Sequence, residues 1–350
     1  FSIVGNPEGR QMLIHDADLL GKITEEGLNA IRAEGEYHGH SVLCVLANTV
    51  EGSQLLKDNE VLRDKITAAG LNAVIATGDH RGKSALWYLA RSPEGLKLLK
   101  DDAVLRSKIT DKALNAVAAK GLHKGCSALM FLVGDPIGPQ LLKDDAVLRG
   151  KVNANGLNTV IAEGQFKGYS SLWFLANSPE GWPLLRDQKS FKDNIKLECI
   201  VSTAVHDNND GSVKQYSALA HILEDENKHA ILFDNMRLMA EITKLVSSCE
   251  GDLQKAGDIR YYVVKLLLEN TPGRFIDILS SSNAASNNFK TYLDAHPDLI
   301  SSLAKSIDGR NILKTYTSLY PKKLFNVCLV PDFIKEDVLR NAGENSTVAV

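Results

Sequence analysis

The sequence predicts an all-α fold: an α-solenoid of 43-residue helical repeats closed by a divergent helical C-terminal cap. Three ladders of residues carry that expectation. Gly39, Gly82, Gly125 and Gly168 each open a Gly-x-Ser-x-Leu segment, and they recur every 43 residues. Gly9, Gly52, Gly95, Gly138 and Gly181 step by the same 43. So do the Leu-Asn pairs that end at Asn29, Asn72, Asn115 and Asn158. Three ladders in one register mean tandem copies, and a period of this length marks a repeat array.

One copy, residues 83–125, predicts four short elements. Ser84 is placed to cap a helix over Ala85-Leu-Trp-Tyr-Leu-Ala90, apolar on nearly every side and therefore buried. Ser92-Pro93-Glu94 restarts the helix, with Pro in the first turn, where its missing N–H costs nothing. Asp101-Asp102 punctuates and opens a helix over residues 103–109. Thr110-Asp111 opens a last helix over 112–120, ended by Gly121. No segment alternates clearly as a strand, although Asn72-Ala-Val-Ile-Ala-Thr77 fits either period. A unit of this size cannot bury both faces of its helices, so Leu43, Leu86, Leu129 and Leu172 are expected to pack on the next copy.

The regularity covers residues 1–211 and fades over 212–350. Tyr216-Ser-Ala-Leu-Ala-His-Ile-Leu223 restarts the motif four residues late, and echoes recur at Leu267–Gly273 and Leu303–Lys314. About eight copies are expected, the last three degenerate as terminal repeats often are. Phe1-Ser-Ile-Val-Gly-Asn-Pro-Glu-Gly9 matches Trp87–Gly95, so the chain opens inside a copy and an upstream segment is expected.

Gly-x-Ser-Ala-Leu-x-x-Leu-Ala followed by Ser-Pro-Glu-Gly-x-x-Leu-Leu resembles the ankyrin pattern Gly-x-Thr-Pro-Leu-His-x-Ala and its second helix. Ser84-Ala85 stands for Thr-Pro, Trp87 for the His, and the period exceeds the ankyrin ~33. The period is also similar to that of HEAT and armadillo arrays, ~40–47 residues. Near-identical tandem copies further resemble the repeat effectors that intracellular bacteria deliver into host cells. These resemblances imply a protein-binding, non-enzymatic array, acting in the host cytosol if it is such an effector.

Composition narrows the function. Lys+Arg 40 against Asp+Glu 43 leaves a net charge of −3, which disfavours a nucleic-acid partner. No run of eighteen apolar residues suggests a membrane span. Cys44, Cys126, Cys199, Cys249 and Cys328 are unpaired in spacing, which points to a reducing, cytoplasmic setting. Gly78-Asp-His-Arg-Gly-Lys-Ser84 imitates a phosphate loop but is one residue short between its glycines. Its sibling stretches lack the Lys, so a repeat connector explains it. The histidines show no metal spacing, and His80 and His123 occupy equivalent slots one copy apart. The serines lie outside any nucleophile elbow. No catalytic, cofactor-binding or metal-binding residue is expected. The Asn ladder is expected to tie one copy's backbone to the next. The ladder Lys22, Lys65, Lys108 and Lys151 is expected to face solvent or pair with Asp58, Asp101 and Asp144.

The connectors carry the one candidate site. Where small polar residues are expected, they hold Tyr37, His38, His80, Arg81, His123, Lys124, Phe166, Lys167 and Tyr169, with His40, Lys83 and Cys126 after the Gly. Aromatic and cationic groups suit a protein contact, while stacking of each ring on the adjacent connector is the structural alternative. The expected function is a protein-interaction scaffold. The alternatives are an enzyme with its site in 187–350 (Cys199, His206 and Asp207 as candidates) or upstream, and a surface for anionic lipid or nucleic acid. A compact globule of 350 residues has a radius of gyration of ~20 Å. The stacked array should clearly exceed it, and small-angle scattering at the globular value would count against the array.

Overall fold

The structure, a computed structural model, describes residues 2–34, 38–164, 166–207 and 213–247, with Val263, Leu266, Leu267, Asn270 and Thr271. The chain is mostly helical and separates into two compact units, Phe1–His221 and Ile222–Val350.

In the first unit one four-helix motif recurs. Its clearest copy comprises Ala85–Arg91, Pro93–Asp101, Ala103–Ser107 and Asp111–Asn115. Each helix starts at a side chain that accepts an amide left without a helical partner. Ser84 receives Trp87 N–H (3.2 Å), Ser92 Gly95 N–H (2.9 Å), Asp102 Leu105 N–H (2.8 Å) and Thr110 Ala113 N–H (3.3 Å). Ser41, Ser127, Ser170 and Ser217 cap the equivalent first helices. Helices this short do not persist alone in water. They are held by packing: Ala85–Arg91 lies between Val42–Ala47 and Ala128–Gly134, and Pro93–Asp101 between Val50–Asp58 and Ile137–Asp144. Leu43, Leu86, Leu129 and Leu172 are all buried there.

The glycine ladder sets how closely the first two helices approach. A Cβ at Gly52, Gly95, Gly138 or Gly181 would overlap the carbonyl oxygen of Leu46, Leu89, Leu132 or Leu175 respectively. No side chain fits between those backbones.

The asparagine ladder joins the copies. Asn115 ends its helix, and its amide donates to Asp111 O (2.6 Å) and to Lys151 O of the next copy (2.9 Å), while its oxygen accepts Asn153 N–H (3.3 Å). Asn29 makes the same three bonds with Glu25, Lys65 and Thr67. Asn72 makes them with Ala68, Lys108 and Thr110, and Asn158 with Ala154, Asn194 and Lys196. The expected tie is present, at the last residue of a short helix rather than inside a longer one.

Two expectations change. Three of the four ladder lysines are structural, while Lys22 is exposed as expected: Lys65 donates to Ile23 O (2.6 Å), Lys108 to Ile66 O (2.6 Å) and Lys151 to Ser107 O (3.2 Å), each reaching back into the preceding copy. Among the repeated aspartates of the described residues, Asp102 pairs with Arg63 (3.4 Å) and Asp145 with Arg106 (2.8 Å) of the preceding copy, whereas Asp58, Asp101 and Asp144 form no ion pair. Burial raises the Asp145 carboxyl, but the Arg106 hydrogen bond and charge outweigh it and hold the group below its ordinary range.

The second change concerns the connector. The fourth helix stops at Asn115, and residues 116–126 form a small hairpin closed by Ala118 N–H to Cys126 O (3.0 Å) and Gly125 N–H to Ala118 O (2.7 Å). Ile75 with Lys83, Ile161 with Tyr169 and Arg32 with His40 repeat that pairing. Gly82 (φ 90°) and Gly168 (φ 86°) lie in the region that only glycine enters readily, and a Cβ there would strike Val117 O or Thr203 O of the next hairpin. The four extra residues before Ser217 lengthen the fifth hairpin into two strands, β1 (Thr203–Asp207) and β2 (Val213–Ser217). They pair antiparallel, with Ala204 opposite Tyr216. The fold is therefore helical with hairpin connectors.

In the second unit Asp225 caps a 3-10 turn, Glu226–Lys228, followed by Ala230–Phe233 and Met236–Ser247. Ile231, Leu232, Leu238, Ile242, Val263 and Leu267 are buried. The echo at 303–314 lies outside the described residues, as does most of that at 267–273.

Replacing Asn115, which is 8% exposed, with Ala leaves Lys151 O and Asn153 N–H without their partner. Unfolding by urea should show a loss of about 1–3 kcal/mol, and an unchanged midpoint would show that the tie contributes little.

Candidate functional site: the connector edge

The hairpins bring their central residues into one row. His40 meets His80 edge-on with ring centroids 4.7 Å apart, and the Tyr88 hydroxyl is hydrogen-bonded to His80 Nδ1 at 2.7 Å. Trp87 contacts Tyr88 (5.1 Å), His123 (5.8 Å) and Phe131 (5.0 Å). His123 stacks on Phe166 (5.9 Å), which meets Tyr169 (6.2 Å), and Tyr169 meets Trp173 (4.6 Å). Trp173 then contacts His221 (5.0 Å), which stacks on Tyr216 (5.0 Å). Aromatic and imidazole rings thus form a near-continuous stripe along the first helices and hairpins. Two indoles also bind the following hairpin: Trp87 Nε1 donates to Cys126 O (3.0 Å) and Trp173 Nε1 to Tyr216 O (3.2 Å).

The residues singled out from the sequence fall into two groups. His80, His123 and Phe166 are half-buried in the stripe, and Tyr169 is buried at 7% exposure. These rings do stack on adjacent connectors. His38, Arg81, Lys124 and Lys167 are exposed. His38 Nδ1 is hydrogen-bonded to the Thr77 hydroxyl (2.9 Å), and Lys124 pairs with Glu163. Tyr37 lies outside the described residues.

Burial first, then the charge of Lys83 and the neighbouring His40, lower the His80 pKa below its ordinary value. Burial, then Arg91 and Lys83, do the same for His123. Both imidazoles are therefore held neutral near pH 7. The Lys83 ammonium is also lowered, by burial and then by Arg91.

The catalytic candidates gain no support. Burial pushes the Cys199 thiol up to about 11 and the Cys126 thiol to about 12, far from a reactive thiolate. Cys199 Sγ donates to Ser170 Oγ at 3.1 Å, so it serves the core. His206 and Asp207 pair in the hairpin with Lys214 and Val213. Among the described residues no His, Cys, Asp or Glu group is placed to hold a metal ion. No helix there is long and apolar enough to cross a membrane.

Sequence reasoning missed two features. Trp87 and Tyr88, expected only as buried helix, also floor the connector edge, as do Phe131, Trp173 and Phe174. Val61, Val104 and Val147 keep the 43-residue register and are 60%, 67% and 65% exposed on the third helices. Their 43-residue spacing is legible in the sequence, but their exposure is not.

Comparison with family models, with curated proteins and with solved structures finds no match for this chain.

Because folded His80 and His123 have lowered pKa values, the unfolded chain binds more protons than the folded one just below pH ~6.5. Stability should therefore fall as pH drops through that value and level off below the folded pKa values. The double change His80→Gln, His123→Gln should flatten the drop in urea midpoints measured from pH 7.5 to 5; an equally steep drop would contradict it.

Proposed function

We propose that this chain is a protein-interaction scaffold of the α-solenoid kind, whose connector edge receives a protein partner. The observation that carries the reading is a division of labour among cations. Lys65, Lys108 and Lys151, like Arg63 and Arg106, are committed to ties between copies. Arg81, Lys124 and Lys167 stand exposed on the hairpins beside half-buried rings, and among the described residues only Lys124 of the three has an ion pair, a solvent-exposed one with Glu163. Rigid aromatic floor with projecting cations is the chemistry of interface anchors, since the rings lose little entropy and the cations can meet carboxylates. The helices beneath supply a fixed platform, so residues on the hairpins vary without cost to the core.

The same reading takes the array as ankyrin-like or HEAT-like in its use and, if it is a delivered bacterial effector, as acting in a host cytosol. Its support is the Gly-x-Ser-Ala-Leu segment and the free, buried Cys44, Cys126 and Cys199.

The test replaces Arg81, Lys124 and Lys167 together with Ala. Each exposed change should alter stability by no more than about 0.5 kcal/mol, so helicity and melting should match the parent. A partner identified by proximity labelling with the parent, then purified, should bind the triple variant at least about tenfold more weakly, as two or three lost charged contacts imply. Equal affinity would remove the connector edge from the interface.

A further inference from the structure

Resting on the reading of the connector edge as a partner surface, we propose that Lys83, Arg91 and His123 form a site for a single carboxylate, presented by an acidic side chain on a partner peptide. Three groups gather around one indole. Lys83 Nζ lies 5.1 Å and Arg91 Cζ 5.9 Å from the Trp87 ring centroid, and the His123 ring lies 5.8 Å from it. Lys83 is 8% exposed, yet among the described residues no carboxylate lies within ion-pair reach of it or of Arg91. Its one polar contact is His80 Nδ1 at 3.5 Å, already engaged by the Tyr88 hydroxyl. A lysine this little exposed with no carboxylate in ion-pair reach is unusual: Asp79 acts on it only at a distance, and proteins keep such groups paired unless a ligand supplies the pair. His123 Nδ1 is a second unmatched group, buried and without a hydrogen-bond partner.

The cations are not part of the repeated scaffold. The position of Lys83 is His40, Cys126 and Tyr169 in the sibling copies, and that of Arg91 is Asn48, Gly134 and Asn177. The scaffold therefore forms without them. Asp79, the carboxylate whose charge acts on Lys83, is exposed and pairs with Lys120 at 3.8 Å. The other titratable groups facing the cluster are His40, His80 and Tyr88. Phe131 and Phe166 wall the His123 side. Aromatic walls suit an acidic residue flanked by apolar ones, whereas inorganic phosphate would give up hydration there for little in return.

Bound carboxylate favours protonated imidazole, so occupancy is read at His123 itself. The full chain is titrated by NMR with acetyl-Leu-Glu-Leu-amide, with its Gln counterpart, and with inorganic phosphate. The Glu peptide should raise the His123 pKa by about one unit, and the Gln peptide and phosphate should not. The double change Lys83→Tyr, Arg91→Asn, which borrows sibling residues, should abolish the shift with helicity retained. Should that double variant lose helicity, Arg91→Asn alone, at an exposed position, should still reduce the shift. An equal response to the Gln peptide, a larger one to phosphate, or a full shift in the variants would overturn the site. No shift sinks this site alone; a partner indifferent to the triple alanine variant sinks the edge reading alone.

Discussion

The structure of the first unit depends on the asparagine tie. Helices of five to nine residues cannot hold themselves, so each must be fixed by something outside it. One carboxamide at the end of the fourth helix closes that helix through its i−4 carbonyl and takes both a carbonyl and an amide from the next copy. Only a side chain with donor and acceptor on one short stem does both. The lysine that follows 36 residues later in sequence then returns the favour, covering carbonyls of the copy behind. Register is thus propagated by polar bonds of fixed geometry, and the leucines fill the space those bonds define.

This arrangement explains why the connectors can vary. The hairpin is closed by two backbone bonds and by glycines at positive φ, none of which specifies neighbouring side chains. His38, Arg81, Lys124 and Lys167 are therefore free to differ in type from core positions. The fifth hairpin shows the tolerance directly, because four added residues extend it into β1 and β2 while Ser217 still caps the next helix. Trp173 follows the lengthened strand and bonds Tyr216 O where Trp87 bonds Cys126 O.

The ring stripe joins scaffold to surface. Trp87 is at once core (1% exposed), tether of the next hairpin and floor beneath Lys83 and Arg91. Burial in this stripe lowers the pKa values of His80 and His123 and favours their neutral form near neutral pH. Val61, Val104 and Val147 keep the register and are as exposed as connector residues, so exposure alone does not mark the connector edge.

The sequence by itself determined the period, the helix starts, the buried leucines and the existence of the asparagine tie. Capping chemistry is local, and repetition exposes what the scaffold cannot change. Tertiary structure decided the rest. Residues 116–120 read as helix because short apolar runs satisfy either period, and the hairpin wins only where the next copy presents a backbone for it to approach. The lysine ladder read as solvated because its acceptors are carbonyls 42 to 44 residues away, invisible to side-chain patterning. The nine connector residues read as one surface, yet Tyr169 is buried and Arg81 exposed, since their separation depends on which ring the neighbouring copy brings against them. Lys83 and Arg91 gather at one indole only after folding, because Arg91 ends the helix that carries Trp87 while Lys83 comes from the hairpin before its cap.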